Sequence, residues 1–347
     1  MQLAGLSLLA LFSSLLLCRL VMAFAPKDAP DGGRKTQSFA VPTSGGLAIA
    51  AAILISWLGL LTLAPDIAHS PELEHFGNIN GKALICFSLA GLLIGGLDDQ
   101  FSIPAKPKFI ALAVASGLAA TLGIYINGVF LPVADAYFPI ATWLGIGGTA
   151  LWFFVFMNAT NFMDGSNGLA MGTLAIMIGG VSIHLYGHDH FHDLSVLGTL
   201  MVAAILGFLF WNLQGKLYAG DAGSLFGGAV FASLGIYAAQ DGNIWFPATL
   251  ALPFLVDVFM TLIWRAQRGH NLLTPHRHHA YQLFIRSGWG HIKTALLWWS
   301  FAVFCAAAAL WAASDSKAMS AYVFLGMLGL GVALWLIHRA RTKLIHR

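Results

Sequence analysis

Charge is what this sequence has least of: Asp, Glu, Lys and Arg together make up 10% of the 347 residues, whereas 58% are hydrophobic. With a mean hydropathy of +0.76, the chain carries more apolar surface than a water-soluble core of that length can hide. A soluble globular fold is excluded, and lipid is the expected solvent. Cysteine is scarce too. Cys18, Cys86 and Cys305 each lie in an apolar run with no Cys-x-x-Cys and no Cys/His ligand spacing, which argues against a disulfide framework and a thiolate metal centre and reads as buried small hydrophobes. No basic stripe is present: the net charge is +3 and the Lys and Arg are scattered over loops, so nucleic acid is not an expected partner. The alternating ten-residue pattern of a membrane β-barrel is missing as well. The spans must therefore be helices, which satisfy their own backbone groups in lipid.

Eleven apolar stretches approach the length that crosses a bilayer, ~20 residues each: about 3–24, 45–64, 82–97, 108–125, 140–157, 168–185, 194–211, 222–239, 244–264, 293–313 and 319–338. The first lacks a positive start and a small-residue cleavage site before Cys18, and is read as a retained span. One set of loops holds Lys27, Arg34, Lys35, Lys106, Lys108, Lys216, Arg265, Arg268, Arg277, Arg286 and the tail with Arg339, Arg341, Lys343 and Arg347; the other offers only Lys82 and Lys317. The positive-inside rule makes the first set cytoplasmic, with the N-terminus outside and the C-terminus inside. The outer acids Asp66, Glu72, Glu74, Asp135, Asp189 and Asp193 read as solvated loops. The expected organisation is a single integral membrane domain over 1–347, all-α, whose largest cytoplasmic loop is 265–292.

Four runs with chemical content fall on that cytoplasmic side. The run G-G-L-D-D at 95–99 ends a span in adjacent carboxylates, which repel unless a cation or a shared proton joins them. In N-A-T-N-F-M-D-G-S-N-G at 158–168, Asn158, Asn161 and Asp164 recur at a spacing that one helical face can share; Gly165 and Gly168 permit close approach of backbone N–H groups to an anion. G-D-A-G-S at 220–224 places Asp221 before a span, beside Lys216 and Tyr218, where a helix N-terminus favours phosphate. T-P-H-R-H-H-A-Y-Q at 274–282 gathers His276, His278 and His279 with Arg277, fit for phosphate contact more than for zinc. Each alone is equally a helix cap or a solvated loop. Four on one face, where lipid-borne and water-borne substrates meet, point to a site. Asp257, inside span nine after Pro253, is expected to face a polar cavity because an ionised group in lipid costs ~2.5–3.5 kcal/mol or more.

Two further patterns are set aside. H-D-H-F-H-D at 188–193 lies on the outer side, and its His residues share a face only in an extended chain. G-I-G-G-T-A at 145–150 resembles a dinucleotide fingerprint but sits inside a span, where small residues serve helix packing.

Taken in order, P-T-S-G-G at 42–46, G-G-L-D-D, N-A-T-N-F-M-D-G-S-N-G-L-A at 158–170, G-D-A-G-S, P-F-L-V-D at 253–257 and H-x-H-H at 276–279 resemble the polyprenyl-phosphate N-acetylhexosamine-1-phosphate transferases (glycosyltransferase family 4), over nearly the whole chain. The resemblance implies transfer of a HexNAc-1-phosphate from a UDP-N-acetylhexosamine to undecaprenyl phosphate, releasing UMP. It implies that Asp98 and Asp99 serve the acceptor phosphate, that Asp221 binds Mg2+ (with Mn2+ as a substitute), and that the His loop (His276, Arg277, His278, His279) binds the donor's diphosphate or sugar, with Asp164 a further catalytic residue. Asn158, Asn161, Lys216 and Asp257 join the substrate contacts, Tyr218 stacks on uracil, and Gly168 and Leu169 line the nucleotide pocket. The implied setting is the bacterial cytoplasmic membrane, with membrane lipid as partner and a homodimer left open. Three departures stand out: Asn167 replaces a second Asp, the 212–221 segment lacks the usual Pro-Ala, and Thr274-Pro275 replaces Asp-Arg. With A-Y-Q at 280–282 the last resembles the branch that initiates O-antigen. An ion-coupled transporter and a membrane zinc hydrolase are the alternatives; the first calls for internal repeats and midplane polar groups, the second for bound zinc.

Overall fold

The computed structural model describes residues 2–25, 27–28, 40–63, 79–122, 125–187, 192–272, 274 and 276–345. Arg34, Lys35, Asp66, Glu72, Glu74, Asp189, Pro275, Arg347 and positions 188–191 of the alternating His run lie outside them. Among the described residues there are twelve helices: α1 (Gln2–Phe24), α2 (Gly45–Leu63), α3 (Ile79–Phe101), α4 (Ala105–Thr121), α5 (Thr142–Met163), α6 (Leu169–Tyr186), α7 (His192–Asn212), α8 (Gly220–Ala238), α9 (Trp245–Ala266), α10 (Ala280–Arg286), α11 (His291–Asp315) and α12 (Lys317–Ile345). Two antiparallel ribbons complete the fold: β1 (Lys27–Asp28) with β2 (Val41–Pro42), and β3 (Gly128–Leu131) with β4 (Ala136–Pro139). The protein is a polytopic membrane helix bundle.

Each of the eleven apolar stretches is a helix, and nine of those are long and apolar enough to cross a membrane. The two that fall short do so for different reasons. α4 has only 17 residues. α8 is diluted by glycine, serine and an aspartate, and residues 222–238 are all buried. It packs against α2, α3, α5 and α6, so protein and not lipid is its surroundings. Its small residues allow that: Gly223 touches Gly46, and Gly228 lies against Met157 and Thr160, close approaches that make up for the missing hydrophobic drive between helices in lipid. The outward faces carry the bulky apolar side chains that lipid accepts, such as Leu8, Phe12 and Leu16 on α1 and Leu93 and Leu97 on α3. Cys18 and Cys305 are buried as expected, but Cys86 is exposed, on the side of α3 that faces outward.

Two expected boundaries shift. α3 runs on through Asp98 and Asp99, and α5 through Asn158 and Asn161, so these polar groups occupy the last helical turns and not the loops beyond. The helix α10 is an addition, folded inside the expected loop 265–292.

Candidate active site

The ends of α3 and α5 meet the starts of α4 and α8 around a single ammonium group. Lys108, 8% exposed, donates from Nζ to Asp98 Oδ2 at 2.8 Å and to Asp221 Oδ2, and reaches Asn161 Oδ1 at 3.5 Å. Asn161 Nδ2 donates to Asp221 Oδ1 at 2.8 Å and to Ser224 Oγ at 3.0 Å. Lys108 entered the sequence reading only as a topology marker. The signal was there: with Lys106 it opens a helix whose remaining residues carry no charge, and an ionisable group entering a span is a functional candidate by default.

Asp99 has a separate task. Its Oδ1 accepts the Asp221 N–H at 2.8 Å and its Oδ2 the Ala222 N–H at 3.0 Å, two of the orphan donors that open α8. A carboxylate at a helix N-terminus is also favoured by the helix field. Glycine makes the approach feasible. Gly220 has φ +72° and faces the Thr43 carbonyl and the Asp99 carboxylate with no room for a Cβ; Gly95 abuts the Asp221 carbonyl in the same way. The 42–46 motif docks on the same turn: Tyr218 N–H donates to Pro42 O, Gly45 N–H to Tyr218 O and Gly46 N–H to Ala219 O, each at 2.9 Å.

Asp164 closes α5. Burial, with Asp221 and Asp99 nearby, pushes its carboxyl up to about 8, so the group holds a proton at neutral pH. Asn158 lies one turn before Asn161 on α5; its Nδ2 donates to Phe154 O at 2.7 Å, and its Oδ1 is buried without a hydrogen-bond partner.

The His loop is the second half. Asp257, expected to face a polar cavity as a substrate contact, is instead enclosed: 3% exposed, its oxygens accept the N–H groups of Ala280 (2.7 Å) and Tyr281 (3.3 Å) and the Thr261 hydroxyl (3.2 Å), and His279 Nδ1 lies 3.6 Å away. Those partners leave it to hold the start of α10. His276 and His278 lie with parallel rings, centroids 5.5 Å apart. Burial, reinforced for His276 by His279 and Arg265 and for His278 by Arg265 and Arg339, pulls them down to about 3 and about 4; both are neutral at pH 7. Arg277 keeps Nε and Nη2 buried without a hydrogen-bond partner. The loop is tied to the carboxylate cluster through the end of α5: Tyr281 Oη donates to Phe162 O at 3.1 Å, the Phe162 ring faces His279 at 6.1 Å, and Ser166 Oγ is 2.9 Å from His291 Nδ1.

Three expected pocket residues are placed differently. Leu169 is fully buried in the core. The Gly168 N–H donates to Asn212 Oδ1 (2.6 Å) and its carbonyl accepts from Trp299 Nε1 (3.0 Å), so its backbone is engaged within the fold. Asn212, whose Nδ2 also donates to Leu217 O at 2.8 Å, is a joint between the 165–168 and 213–219 turns that sequence reasoning missed. Lys216 bonds Gln214 at 2.7 Å and lines a separate cavity of about 320 Å³ with Arg19, Val41 and Pro42. The Tyr218 side chain is half-buried.

Among the described residues no three His, Cys, Asp or Glu form a ready metal cage. What the carboxylate cluster offers is oxygen: Asp98, Asp221, Asn161 and Ser224, with the Lys108 ammonium already standing between two carboxylates as a cation does. Magnesium is commonly held by one or two carboxylates plus substrate phosphates, and this donor set fits that.

The sequence profile described as Glycosyl transferase family 4 matches residues 82–239. That stretch is similar to family 4 sequences. It contains every residue of the carboxylate cluster and ends before the His loop. Over 285 residues the chain is 27% identical to the probable undecaprenyl-phosphate N-acetylglucosaminyl 1-phosphate transferase of Bacillus subtilis (strain 168), covering 80% of this chain and 75% of that one. It is 28% identical to the phospho-N-acetylmuramoyl-pentapeptide-transferase of Bacillus cytotoxicus (75% and 79%) and 26% identical to that of Bacillus thuringiensis (75% and 79%).

Proposed function

We propose that the protein transfers a HexNAc-1-phosphate from a UDP-N-acetylhexosamine to undecaprenyl phosphate at the cytoplasmic face of a bacterial membrane, forming the lipid diphosphate sugar that initiates a cell-envelope polysaccharide such as O-antigen. The observation that carries this reading is the Lys108 ammonium shared by Asp98 and Asp221 at the mouth of α8, where Asp99 fixes the helix start. Positive charge, a carboxylate pair and a helix N-terminus at interfacial depth suit two phosphate-bearing substrates, one of them in lipid.

An oxygen of the acceptor phosphate attacks the phosphorus bonded to the sugar; the bond from that phosphorus to the bridging oxygen breaks, and UMP departs with the electron pair. A lipid phosphate is already a nucleophile at pH 7, so orientation matters more than deprotonation. Lys108 attracts the acceptor phosphate and Asp98 orients it. Asp221, with Asn161 and Ser224, would hold Mg2+, which neutralises diphosphate charge. His276, His278 and Arg277 supply donors to the donor diphosphate, and Asp164, protonated before substrate arrives, lends a further O–H. Purified protein incubated with undecaprenyl phosphate and a panel of UDP-HexNAc donors should release UMP with at least one of them and show which sugar is used. Release from none, alongside binding of an unrelated solute, would sink the proposal.

A further inference from the structure

The His loop is gripped by the last helix of the chain. Arg339 on α12, 8% exposed, donates from Nη1 to the carbonyl oxygen of His278 at 2.7 Å. Its guanidinium lies 3.6 Å over the Trp264 ring and 5.3 Å from that of Trp335. On the same helix His338 lies flat on Phe284 of α10, centroids 3.6 Å apart at 8°. From the other side Arg265, 2% exposed, sets Nη1 3.0 Å from His278 Nδ1 while its Nη2 donates to the Asn271 carbonyl and, at 3.2 Å, to Thr274 Oγ1. Trp264 meets the His278 ring edge-on at 5.3 Å.

This geometry decides a proton. Guanidinium nitrogens carry donors only. Facing Arg265, His278 Nδ1 must accept, so the ring proton of the neutral imidazole sits on Nε2. A guanidinium clamped between an aromatic face and a carbonyl loses little further freedom in holding the loop. The other groups bearing on the ring, His270, His276 and Arg286, bring no carboxylate to draw a second proton onto it.

We propose that Arg265 and Arg339 are positioning residues of the transfer reaction, together holding His278 as a neutral Nε2–H donor toward a phosphate oxygen of the nucleotide sugar. The inference rests on the transferase reading for its substrate. It brings α12, which lies outside the family-matched stretch 82–239, into the working site. It also weighs against His278 as a metal ligand through Nδ1 or as a general base.

Two readouts test it. In full-length protein with 15N-labelled histidine, without substrate at pH 7, the His278 signals (identified by their loss in His278→Gln) should show a protonated Nε2 and a bare Nδ1. A protonated Nδ1, or two protonated nitrogens, overturns the proposal whatever the enzyme turns over. In UMP-release assays Arg339→Gln should raise KM for the UDP-sugar about tenfold while KM for undecaprenyl phosphate stays unchanged. Arg339→Lys, which keeps a donor for the carbonyl, should recover part of that loss. Unchanged kinetics in Arg339→Gln, or equal losses for both substrates, overturn it. If Arg339→Gln fails to fold, the tautomer of the wild-type ring and Arg339→Lys still decide. Wild-type protein that releases no UMP defeats the transferase reading, and the tautomer result then stands as its own test.

Discussion

Asp99 and Asp257 perform the same task in different surroundings. Each is a carboxylate in an apolar helix whose oxygens accept two consecutive backbone N–H groups at the start of another helix: Asp221 and Ala222 of α8 for Asp99, Ala280 and Tyr281 of α10 for Asp257. In both places the helix so fixed adjoins candidate site residues: Asp221 and Ser224 lie on α8, and the His loop leads into α10. Asp99, however, is half-buried beside Asp98, Lys108 and Asp221, a region rich in charge. Asp257 is sealed, with His279 as its neighbour. One pin therefore stands where charge can be rearranged as substrates come and go, and the other in a rigid frame. Damage to the first should read out as lost catalysis, and damage to the second as lost stability.

The sharpest contrast comes from the residue that Asp99 positions. Asp221→Ala should cut UMP release by about 10³-fold or more at every magnesium concentration tried, with a melting temperature close to wild type because both N–H groups remain on Asp99. Near-normal turnover removes Asp221 from the centre of the site. Next is Asp257→Ala, which orphans two backbone donors and the Thr261 hydroxyl. At about 1–3 kcal/mol for each buried unsatisfied donor, the loss should be several kcal/mol, seen as a large fall in the thermal midpoint in detergent. Asp257→Asn, which keeps one acceptor oxygen, should lose less. An Asp257→Ala protein as stable as wild type would end the rigid-frame view.

Asp99→Ala is the counterpart, with a smaller expected stability cost of about 1–2 kcal/mol, as for a lost N-cap. Its kcat should nevertheless fall by more than its stability suggests, because Asp221 loses its anchor. The comparison fails if Asp99→Ala and Asp257→Ala show the same ratio of activity loss to stability loss.

How these sites were visible in the sequence differs between the two regions. The carboxylate cluster was largely legible, since Asp98, Asp99, Asn161, Asp164 and Asp221 stand at helix ends in runs that no lipid-facing span would tolerate. Their division of labour was not. Which of two adjacent aspartates faces a backbone and which faces an ammonium depends on how α3 meets α8, and no local pattern carries that. Lys108 was hidden because it serves equally well as a topology signal. The spans were clear from apolar length, and α8 shows the limit of that rule: a helix wrapped by protein on all sides can afford glycine, serine and aspartate. Asp257 drew attention as a charge in a span, but a buried carboxylate can be satisfied by backbone donors as well as by a cavity. The grip of Arg265 and Arg339 on the His loop spans 74 positions, a separation across which sequence periodicity says nothing.

The last effect expected concerns Asp164, and it separates the two regions by pH. An exposed Asp titrates near 3.9, whereas Asp164, half-buried beside Asp221 and Asp99, is pushed up to about 8. The folded protein therefore holds a proton that the unfolded chain releases, and stability falls as pH rises from about 4 to about 8. Asp164→Asn keeps the shape of the neutral carboxyl and cannot ionise, so it should lose this dependence and melt above wild type by a margin that widens toward pH 8. At about 2–4 °C per kcal/mol for mid-sized domains, a shift of a few degrees is enough to see. The window above pH 6.5 keeps the His loop out of the comparison, because His276 and His278, pulled down to about 3 and about 4, withdraw stability only as pH drops below their unfolded value. Parallel melting curves for wild type and Asp164→Asn between pH 6.5 and 9 would show that Asp164 is ionised in the fold, and that the carboxylate region holds one more negative charge than its geometry implies.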